Sequence, residues 1–570
     1  MSLHEPLTRA TSAPRVLRQL CEALLCEGWA ASLQLDRSQT VSWSFRQAQF
    51  RARGRRGAFG RYRLQEGSIE VHDNSRWRPA TTADVLAAVA EPSSALDILH
   101  ADLKHTEHLS DLTALHIPAA TRRHRLGISA LETTLQEGHP YHPCYKARSG
   151  FSDTDHFAYG PENGQTFRLM GVLFHQSLLQ QEMPHKDFWE HELGREEWQR
   201  FTVLVEKQCT PPGAFQLLPL HPWQHAKLQD DPLFNKWRSA GQLAEIGPIG
   251  APYRATQSIR TLMSAADPSR AHVKTAMAMR NTSSLRTLAP ESVAVAPAIS
   301  NWLAQVLDSD PLFTSRYPLT ILPEYAAITA GRGTALDGHL AAIWRQSPES
   351  IGLLANSMMP FNGLALTEPG GTPLIAPWIE THGLDAWLAR LIEAAVLPIW
   401  HLMVAHGIGL EAHGQNLILQ HENGWPAGLI ARDFHESLEY VPELLSRPGL
   451  CPDLAQIDSV YKDAPPDKFH RMSSAEELRW LVMDTLFVFN LADLSDLLQR
   501  HYGFAETEFW RRVRTRLDRY TAEHGLQQRQ AAFAPFTPQI RAESLISRKI
   551  DPDRPQHGHL IANALATGKG

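Results

Sequence analysis

The chain has 570 residues and a formal net charge of −6 at pH 7, and 43% of its residues are hydrophobic. This apolar content excludes a largely disordered chain, and the length predicts roughly three to five structural units. No run of lysine and arginine stands out, which excludes an electrostatic case for nucleic-acid binding.

Cysteine usage and apolar stretches indicate the compartment. The five cysteines have an odd count and form no Cys-x-x-Cys pair, which argues against a disulfide framework and a zinc ribbon. The N-terminus lacks the basic and apolar regions of a secretory signal. Residues 391–410 are the most apolar long stretch, but they contain Glu393, Pro398, His401 and His406. These residues are costly in a bilayer, so we expect a buried helix and a cytoplasmic protein without a membrane partner.

The first 135 residues mix helical and strand patterns and contain no chemical motif. Apolar residues at helical spacing predict an amphipathic helix over 15–35. Residues 40–72 are expected to form short strands, with a hairpin over 62–71 that turns near Gly67. Residues 83–136 return to helical periodicity.

The middle of the chain alternates loops with short apolar runs. A strand is predicted over 272–279 and a helix over 292–307. The turn-rich stretch 368–378 indicates a boundary before a mostly helical C-terminal part.

Helical patterns cover 384–408 and 475–500 in the C-terminal part, and the second follows a capping-box pattern. Between them, Asn423-Gly424 separates two strand-like runs and predicts a tight hairpin.

A polar loop before that hairpin combines oxygen donors. Glu411 to Asn416 supply Glu, His, Gln and Asn, and the hairpin leads from them to Asp433. Because a hairpin brings its ends together, Asn416 and Asp433 should be neighbours, and their oxygen atoms suit Mg²⁺. The arrangement is similar to the metal-binding loop of kinase-like phosphotransferases. The alternative is a hydrogen-bonded polar turn that caps a buried helix.

Cationic residues recur in the central part. Ser-Ile-Arg-Thr at 258–261 is followed by Lys274 and by Arg-Asn-Thr-Ser-Ser-Leu-Arg at 280–286. Alternation along a strand over 272–279 would place Lys274 and Arg280 on one face. The small polar residues predict a turn or a helix N-cap whose N–H groups bind an anion. The Walker A pattern is absent, and the alternative is an ordinary solvated edge strand.

A proline-stiffened loop over 137–151 contains further candidates. They are His139, His142, Cys144, Lys146 and Arg148. The first three could form a zinc site, although their spacing is not standard. A rigid loop with solvated histidines is a second interpretation. The third is a loop that binds an anionic substrate through His139, Lys146 and Arg148. His-Pro-Trp-Gln at 221–224 forms another rigid turn, for which core packing and function are equally expected.

The joint order of these motifs indicates a family. The motifs are Gly-His-Pro-x-His-Pro-x-x-Lys at 138–146, His-Pro-Trp-Gln at 221–224, Ser-Ile-Arg-Thr at 258–261, Lys274 with Thr-Ser-Ser-Leu-Arg at 282–286, Glu-Ala-His-Gly-Gln-Asn at 411–416 and Arg-Asp-Phe-His-Glu at 432–436. Together they resemble the NRPS-independent siderophore synthetases, the IucA/IucC or aerobactin-synthetase-like family.

The resemblance implies an α+β fold of three parts arranged as a cupped hand. The parts are a thumb over 1–135, fingers with ATP- and phosphate-binding strands over 136–375, and a mostly helical, kinase-like palm over 376–570. It implies a ligase that uses ATP and Mg²⁺ to adenylate a carboxylate of citrate or a citrate derivative. An amine or hydroxyl then displaces AMP. Its partners would be small molecules, and the resemblance allows a homodimer.

The resemblance also assigns roles to single positions. The residues expected to bind ATP are Ser258, Arg260, Thr261, Lys274, Thr282, Ser283, Arg286, His413 and Gln415. Those expected to bind the acid substrate are His139, Lys146, Arg148, Arg286, His413 and Glu436. Glu411, Asn416 and Asp433 would hold Mg²⁺. Lys274, Arg286 and His413 are the expected catalytic residues, because cations offset the repulsion between a carboxylate and a triphosphate.

Two other functions stay open from the sequence. A kinase-like phosphotransferase would release ADP rather than AMP and pyrophosphate, but no Gly-rich loop precedes Lys274 and no Asp lies in the loop 411–416 as a base. A citrate or ferric-chelate carrier would bind without consuming ATP. The acid, the amine or alcohol, and the choice between free and half-amidated citrate are not set by the sequence.

Overall fold

The computed structural model describes residues 11–73, 76–116, 122–209, 211–554 and 557–566. Its α-helices are α1 (Ala13–Cys26), α2 (Thr82–Val89), α3 (Ser94–His116), α4 (Ile128–Thr134), α5 (Asp153–Tyr159), α6 (Phe188–Leu193), α7 (Arg195–Gln208), α8 (Pro222–Leu228), α9 (Pro232–Ser239), α10 (Pro290–Asp308), α11 (Leu312–Ser315), α12 (Ala376–His382), α13 (Leu384–Leu391), α14 (Leu397–His406), α15 (Leu454–Ile457), α16 (Ala475–Val482), α17 (Ala492–Tyr502), α18 (Glu506–His524), α19 (Gln527–Phe533) and α20 (Ser547–Ile550).

The strands form separate sheets along the chain. They are β1 (Ser32–Leu35), β2 (Thr40–Phe45), β3 (Ala48–Arg56), β4 (Tyr62–Leu64), β5 (Glu70–Asp73), β6 (Arg76–Pro79), β7 (Phe167–His175), β8 (Leu179–Glu182), β9 (Phe215–Leu220), β10 (Leu243–Ala255), β11 (Thr261–Ser264), β12 (His272–Thr275), β13 (Arg280–Asn281), β14 (Ser284–Leu285), β15 (Leu319–Ile321), β16 (Glu324–Ala330), β17 (Leu340–Arg345), β18 (Met358–Pro360), β19 (Ile408–Leu410), β20 (Leu417–Glu422), β21 (Trp425–Ala431), β22 (Leu438–Tyr440), β23 (Gln539–Glu543) and β24 (Gly558–Ala562).

The N-terminal sheet has the order β1-β2-β3-β5-β6, and β4 also pairs with β3. The predicted helix is confirmed as α1, although it ends at Cys26 and the chain continues as β1. The predicted hairpin near Gly67 is wrong, because β4 and β5 do not pair with each other. Both pair with β3, which with nine residues is long enough to accept two short strands along its length.

The central sheet has the order β8-β16-β17-β12-β11-β10-β7-β9. β12 lies inside this sheet, between β11 and β17, so the solvated edge strand is excluded. The predicted strand over 272–279 is confirmed only to Thr275. Beyond it the backbone is irregular, since the Met279 N–H donates to the nearby Met277 carbonyl at 2.8 Å. The shared face predicted for Lys274 and Arg280 is therefore wrong, because strand alternation ends between them.

The C-terminal part contains the predicted hairpin and long helices. Strands β20 and β21 pair antiparallel with Glu422 opposite Trp425, and Asn423 and Gly424 both have positive φ, as a tight hairpin turn requires. Single π-helical segments join α13 to α14 and α16 to α17. One described helix, Leu384–His406, is long and apolar enough to cross a membrane, but 78% of its most apolar window is buried. The prediction of a buried helix there is confirmed.

Two large cores support these elements. One core runs from Val16 and Leu20 on α1 to Leu486 and Val513 among the C-terminal helices. The other fills the central sheet and its helices, with Val273 of β12 among its members. The first and last parts of the chain are thus joined by a shared apolar core, and the central sheet has one of its own.

Candidate active site

The loop from Glu411 to Asn416 is held from two sides. The Thr485 hydroxyl accepts the Ala412 N–H at 2.8 Å, and Asn490 Nδ2 donates to the Ala412 carbonyl at 3.1 Å. Gly414 is needed because a Cβ there would lie 2.9 Å from Asn362 backbone atoms. The loop therefore follows β19 in a conformation set by the helices behind it.

Polar groups within the loop also contact one another. Asn416 Nδ2 donates to the Glu411 carboxylate at 3.2 Å, and His413 Nε2 lies 3.9 Å from the same carboxylate. The Gln415 carbonyl accepts from Arg432 Nε at 2.9 Å, which ties the loop to the end of β21.

The hairpin brings Asn416 next to Asp433. The Arg432 N–H donates to the Asn416 carbonyl at 3.0 Å, so Asp433 is one residue beyond the paired position. Asp433 has a φ of +67°, which strains a residue other than glycine. The neighbour relation predicted from the hairpin is confirmed at the backbone.

Asp433 joins the C-terminal hairpin to the central sheet. Its Oδ1 accepts from Lys274 Nζ at 3.1 Å and from Arg345 Nη1 at 2.8 Å. Burial alone would raise the pKa of Asp433, but Lys274 and Arg345 outweigh it and hold that pKa well below its usual range. Burial lowers the pKa of Lys274, and Asp433 opposes that effect. Asp433 is thus a carboxylate in contact with two cations.

Glu324 fixes the backbone after Asp433. Its Oε2 accepts the N–H groups of Phe434 and His435 at 3.2 and 3.0 Å, and its Oε1 lies 2.7 Å from His435 Nδ1. Burial would raise the pKa of Glu324, but the facing His435 lowers it below its usual value. Glu324, Asp433 and His435 also place one ligand atom each within 4.8 Å of the others.

Two further cations come from turns of the central part. Arg260 follows a tight turn in which Ile259 has a φ of +64° and the Ser258 hydroxyl accepts the Thr261 N–H at 3.1 Å. Arg286 follows the β13–β14 turn and donates to the Asn281 carbonyl at 2.9 Å and to the Thr282 hydroxyl.

Thr282 and Ser283 therefore form a two-residue hairpin turn rather than a helix N-cap, and Thr282 has a φ of +55°.

The charges of this region act on one another. Burial lowers the pKa of Arg286 to about 10, and Arg260 lowers it further while Glu411 and Glu436 oppose the shift. Glu436 likewise raises the pKa values of Arg260 and Lys274, which burial lowers. Glu436 is thus the carboxylate that acts on all three cations.

Several buried polar atoms in this region lack a hydrogen-bond partner among the described residues. They are Thr261 Oγ1, His272 Nε2, Arg286 Nε, Arg345 Nε and His435 Nε2. Each unpaired buried group costs about 1–3 kcal/mol, so a polar ligand or water that reached them would be favoured.

His139 belongs to the same region. Burial lowers its pKa to about 3, and His413 and Arg286 are among the charges that lower it further. The ring is therefore neutral at pH 7, and its Nδ1 accepts the N–H groups of Tyr141 and His142, both at 3.1 Å.

The zinc interpretation of this loop is not supported. His142 Nδ1 accepts the Cys144 N–H at 3.0 Å, and burial raises the pKa of the Cys144 thiol to about 12. Among the described residues, the groups with metal-binding geometry lie elsewhere.

The structure places Lys146 and Arg148 differently from the expectation that they face an anionic substrate. Both are buried, and both form ion pairs with Glu162, at 2.7 and 2.9 Å. Arg148 Nη1 also lies 2.9 Å from His156 Nδ1. Glu162 lies outside the motif, and its approach turns these two cations into an internal ion-pair cluster.

Mg²⁺ fits the oxygen donors beside the hairpin. Within the described part of the chain, Asn416 Oδ1 and Asp433 Oδ2 accept no hydrogen bond, and the partly exposed Glu411 carboxylate contacts Asn416. An amide oxygen and carboxylates are the hard ligands that Mg²⁺ prefers.

Glu324, Arg345 and His272 were missed by the sequence reasoning. Each is a single charged or polar residue at the end of a buried strand, and Glu324 and Arg345 have no neighbouring motif. Only the register of β12, β16 and β17 brings them together, with Glu324 and His272 both opposite Arg345. A charged residue that ends an otherwise buried strand was the available signal.

Comparisons with known proteins identify the family of the chain. The chain matches the model described as the IucA / IucC family over residues 128–366, and one described as the ferric iron reductase FhuF-like transporter over residues 385–555. It is 31% identical to the citryl-spermidine/3,4-dihydroxybenzoyl-citryl-spermidine:spermidine ligase of Bacillus anthracis, over 97% of this chain and 93% of that one.

Solved structures share the fold. The petrobactin biosynthesis protein AsbB from Bacillus anthracis superposes with a TM-score of 0.91 at 30% identity, over 98% of this chain and 95% of that one. ATP-bound aerobactin synthetase IucA from Klebsiella pneumoniae does so with a TM-score of 0.77 at 19% identity, over 96% and 99%. Because the chain is 31% identical to the Bacillus anthracis ligase over nearly the whole of both chains, the protein belongs to the IucA/IucC family and is a ligase of siderophore biosynthesis.

Proposed function

We propose that this ligase adenylates a carboxylate of citrate or a citrate derivative with ATP and joins the acyl group to an amine or hydroxyl. The observation that carries the proposal is the contact of Lys274 with Asp433, which joins the cationic central sheet to the oxygen-rich hairpin. The substrates named for the Bacillus anthracis ligase support citryl chemistry and a polyamine such as spermidine as the nucleophile.

In the first step a carboxylate oxygen attacks the α-phosphorus of ATP. The bond from that phosphorus to the bridging oxygen breaks, and pyrophosphate leaves. Both reactants are anionic, so Lys274, Arg260 and Arg286 would reduce their repulsion and stabilise charge on the phosphate oxygens. Ser258, Thr261, Thr282, Ser283, His413 and Gln415 complete the proposed ATP site. His139, Arg286, His413 and Glu436 would contact the acid.

In the second step a neutral amine nitrogen attacks the acyl carbon, and AMP leaves. The nitrogen must then lose a proton. Glu436 is a candidate acceptor, since its carboxylate is partly exposed and the nearby His435 and Arg260 outweigh burial and lower its pKa, which keeps it ionised. His435 Nε2, which has no hydrogen-bond partner among the described residues, is the second candidate.

Glu411, Asn416 and Asp433 would hold Mg²⁺. The ion would supply positive charge at the triphosphate.

The test is a product assay with ATP, citrate and a panel of amines that includes spermidine. We expect AMP, pyrophosphate and an amide of the mass of citrate plus amine minus water. ADP would support the kinase-like alternative, and citrate binding without nucleotide turnover would support a carrier.

Arg286→Ala tests the catalytic cation. We expect pyrophosphate release to fall by about 10²–10³, the loss typical of one charge-stabilising donor. Arg195→Ala is the matched control, because the Arg195 side chain is 80% exposed on α7. Near wild-type turnover in Arg286→Ala would remove this residue from the mechanism.

A further inference from the structure

A second group of ligand-type side chains lies outside the proposed catalytic set. Asp310 follows α10, and His401 and His406 lie on α14; each offers one ligand atom, all within 4.8 Å of one another. His401 Nε2 and His406 Nε2 are both 3.0 Å from the same oxygen, Asp310 Oδ2. Three polar atoms from two distant stretches of the chain therefore converge on one point.

The other oxygen or nitrogen atom of each of these three side chains has a hydrogen-bond partner. Asp310 Oδ1 accepts the Leu312 N–H at 2.9 Å. His401 Nδ1 lies 2.6 Å from the Tyr520 hydroxyl, and His406 Nδ1 lies 2.7 Å from the Ser446 hydroxyl. Such partners are what orient histidine and carboxylate ligands in metal sites.

The surroundings favour neutral imidazoles. The two histidine side chains are nearly fully buried, and the Phe313 ring lies against both, with centroids 4.9 and 5.4 Å away. Burial lowers the pKa of His401 to about 4 and also lowers that of His406, so both keep a lone pair at pH 7. Asp310 is 20% exposed and leaves one side open to water.

We propose that Asp310, His401 and His406 bind one zinc ion, with water as the fourth ligand on the open side. Tetrahedral zinc with bonds of about 2.0–2.1 Å separates its ligand atoms by about 3.3 Å, so the two 3.0 Å separations from Asp310 Oδ2 need to lengthen only slightly. Two imidazole nitrogens and one carboxylate oxygen suit zinc rather than Mg²⁺. The site is thus distinct from the one proposed for catalysis.

The hydrogen bonds allow both histidines to change tautomer when the metal binds, without loss of a proton from either ring. Without zinc, each Nε2–H donates to Asp310 and each Nδ1 accepts from a hydroxyl. With zinc, each ring proton lies on Nδ1 and is donated in a hydrogen bond to the hydroxyl oxygen of Tyr520 or Ser446, which can accept as well as donate. The ion would fasten the end of α14 to the loop after α10. The zinc ion would have a structural role, because α14 leads through β19 into the loop that begins at Glu411.

The test is metal retention by the whole protein. After incubation with one equivalent of ZnCl₂ and desalting, we expect one zinc per chain by elemental analysis, and a higher Tm than in the chelator-treated protein. Asp310→Asn and His406→Gln should lose the zinc and the Tm increase. Cobalt(II) in the wild type should give the visible absorption of a tetrahedral site, and His406→Gln should not.

His524→Gln is the matched control, because the His524 ring lies 6.1 Å from that of His401 but contributes none of the three ligand atoms. It should retain one zinc. The proposal is overturned if the wild type retains no zinc, which would leave a hydrogen-bond network only. It is also overturned if Asp310→Asn and His406→Gln, folded by circular dichroism, retain as much zinc as His524→Gln.

Discussion

At the scale of single residues, Glu162 illustrates a charge used for stability. Burial would raise its pKa, but Arg148 and Lys146 outweigh burial and hold it well below its usual range. Glu162→Gln leaves two buried cations without their carboxylate, so we expect the free energy of unfolding to fall by about 3–5 kcal/mol at pH 7. Urea unfolding measures it. Glu182→Gln, at an exposed position on β8, should be near neutral.

The ion pairs of Glu162 also make the stability of the protein depend on pH. A carboxyl whose pKa is lowered on folding stabilises the protein above its unfolded value, about 4.3 for Glu, and loses that contribution as pH falls through the folded value. The difference between wild type and Glu162→Gln should therefore be constant from pH 7 to 5 and shrink at lower pH. A constant difference down to pH 3 would contradict the ion-pair account.

Asp433→Asn tests the proposed Mg²⁺ ligand at the same scale. An amide is a weaker ligand than a carboxylate, so we expect a higher Mg²⁺ concentration for half-maximal pyrophosphate release. The Tm of the variant is measured in parallel, because Lys274 and Arg345 lose their carboxylate. An unchanged Mg²⁺ titration at lower turnover would favour the polar-turn interpretation.

Motif residues and isolated residues differed in how well they could be predicted. Lys274 and Asp433 were both identified as site residues because each belongs to a recognisable motif, and Asn416 was predicted to neighbour Asp433 because a hairpin is a local feature. Glu324 and Arg345 were not found, since their proximity to Asp433 depends on the order of strands in the central sheet. The positive charges of Lys146 and Arg148 suited the expected anionic substrate, but their partner Glu162 lies outside the motif and could not be inferred.

At the scale of elements, Gly407 controls the passage from α14 into β19. It caps the helix with a φ of +71°, and a Cβ there would lie 2.4 Å from the Leu444 carbonyl oxygen. Gly503 caps α17 with a φ of +64°, but a Cβ there meets nothing within 4 Å. In both alanine variants the left-handed backbone lowers the free energy of unfolding by about 1–2 kcal/mol, and only Gly407→Ala adds a clash with the backbone.

Thermal unfolding of the two variants separates these effects. We expect Gly407→Ala to lower the Tm clearly more than Gly503→Ala, and to reduce turnover as well, because Glu411 follows β19. Equal losses in the two variants would show that the clash is relieved by a small movement of the backbone near Leu444.

Elements set by local signals were predicted well. The 423–424 hairpin and the helix at 290–308 need only turn residues and periodicity. The strand pairing near Gly67 was predicted wrongly. Turn residues show where the chain reverses but not which strand it then pairs with, and here both β4 and β5 pair with β3.

At the scale of the whole molecule, ion pairs join the N-terminal sheet to the C-terminal helices. Arg63 Nη1 donates to Asp493 at 2.6 Å, and Arg61 Nη1 donates to the Val488 carbonyl at 2.7 Å. Burial would raise the pKa of Asp493, but Arg61 and Arg63 lower it below its usual value. Glu27 adds to this junction by accepting the Ile546 and Ser547 N–H groups, at 3.0 and 2.7 Å.

This junction predicts that both ends of the chain unfold together. Arg63→Met leaves Asp493 with less charge compensation, and we expect a loss of about 3 kcal/mol that lowers the Tm of one common calorimetric transition. Arg78→Met removes a surface pair with Asp84 in the same N-terminal sheet and should leave the Tm near that of the wild type. Two separate transitions, of which Arg63→Met shifts only one, would mean that the shared core does not couple the ends. The boundaries at 135 and 375 would then be the natural places to look for independent folding.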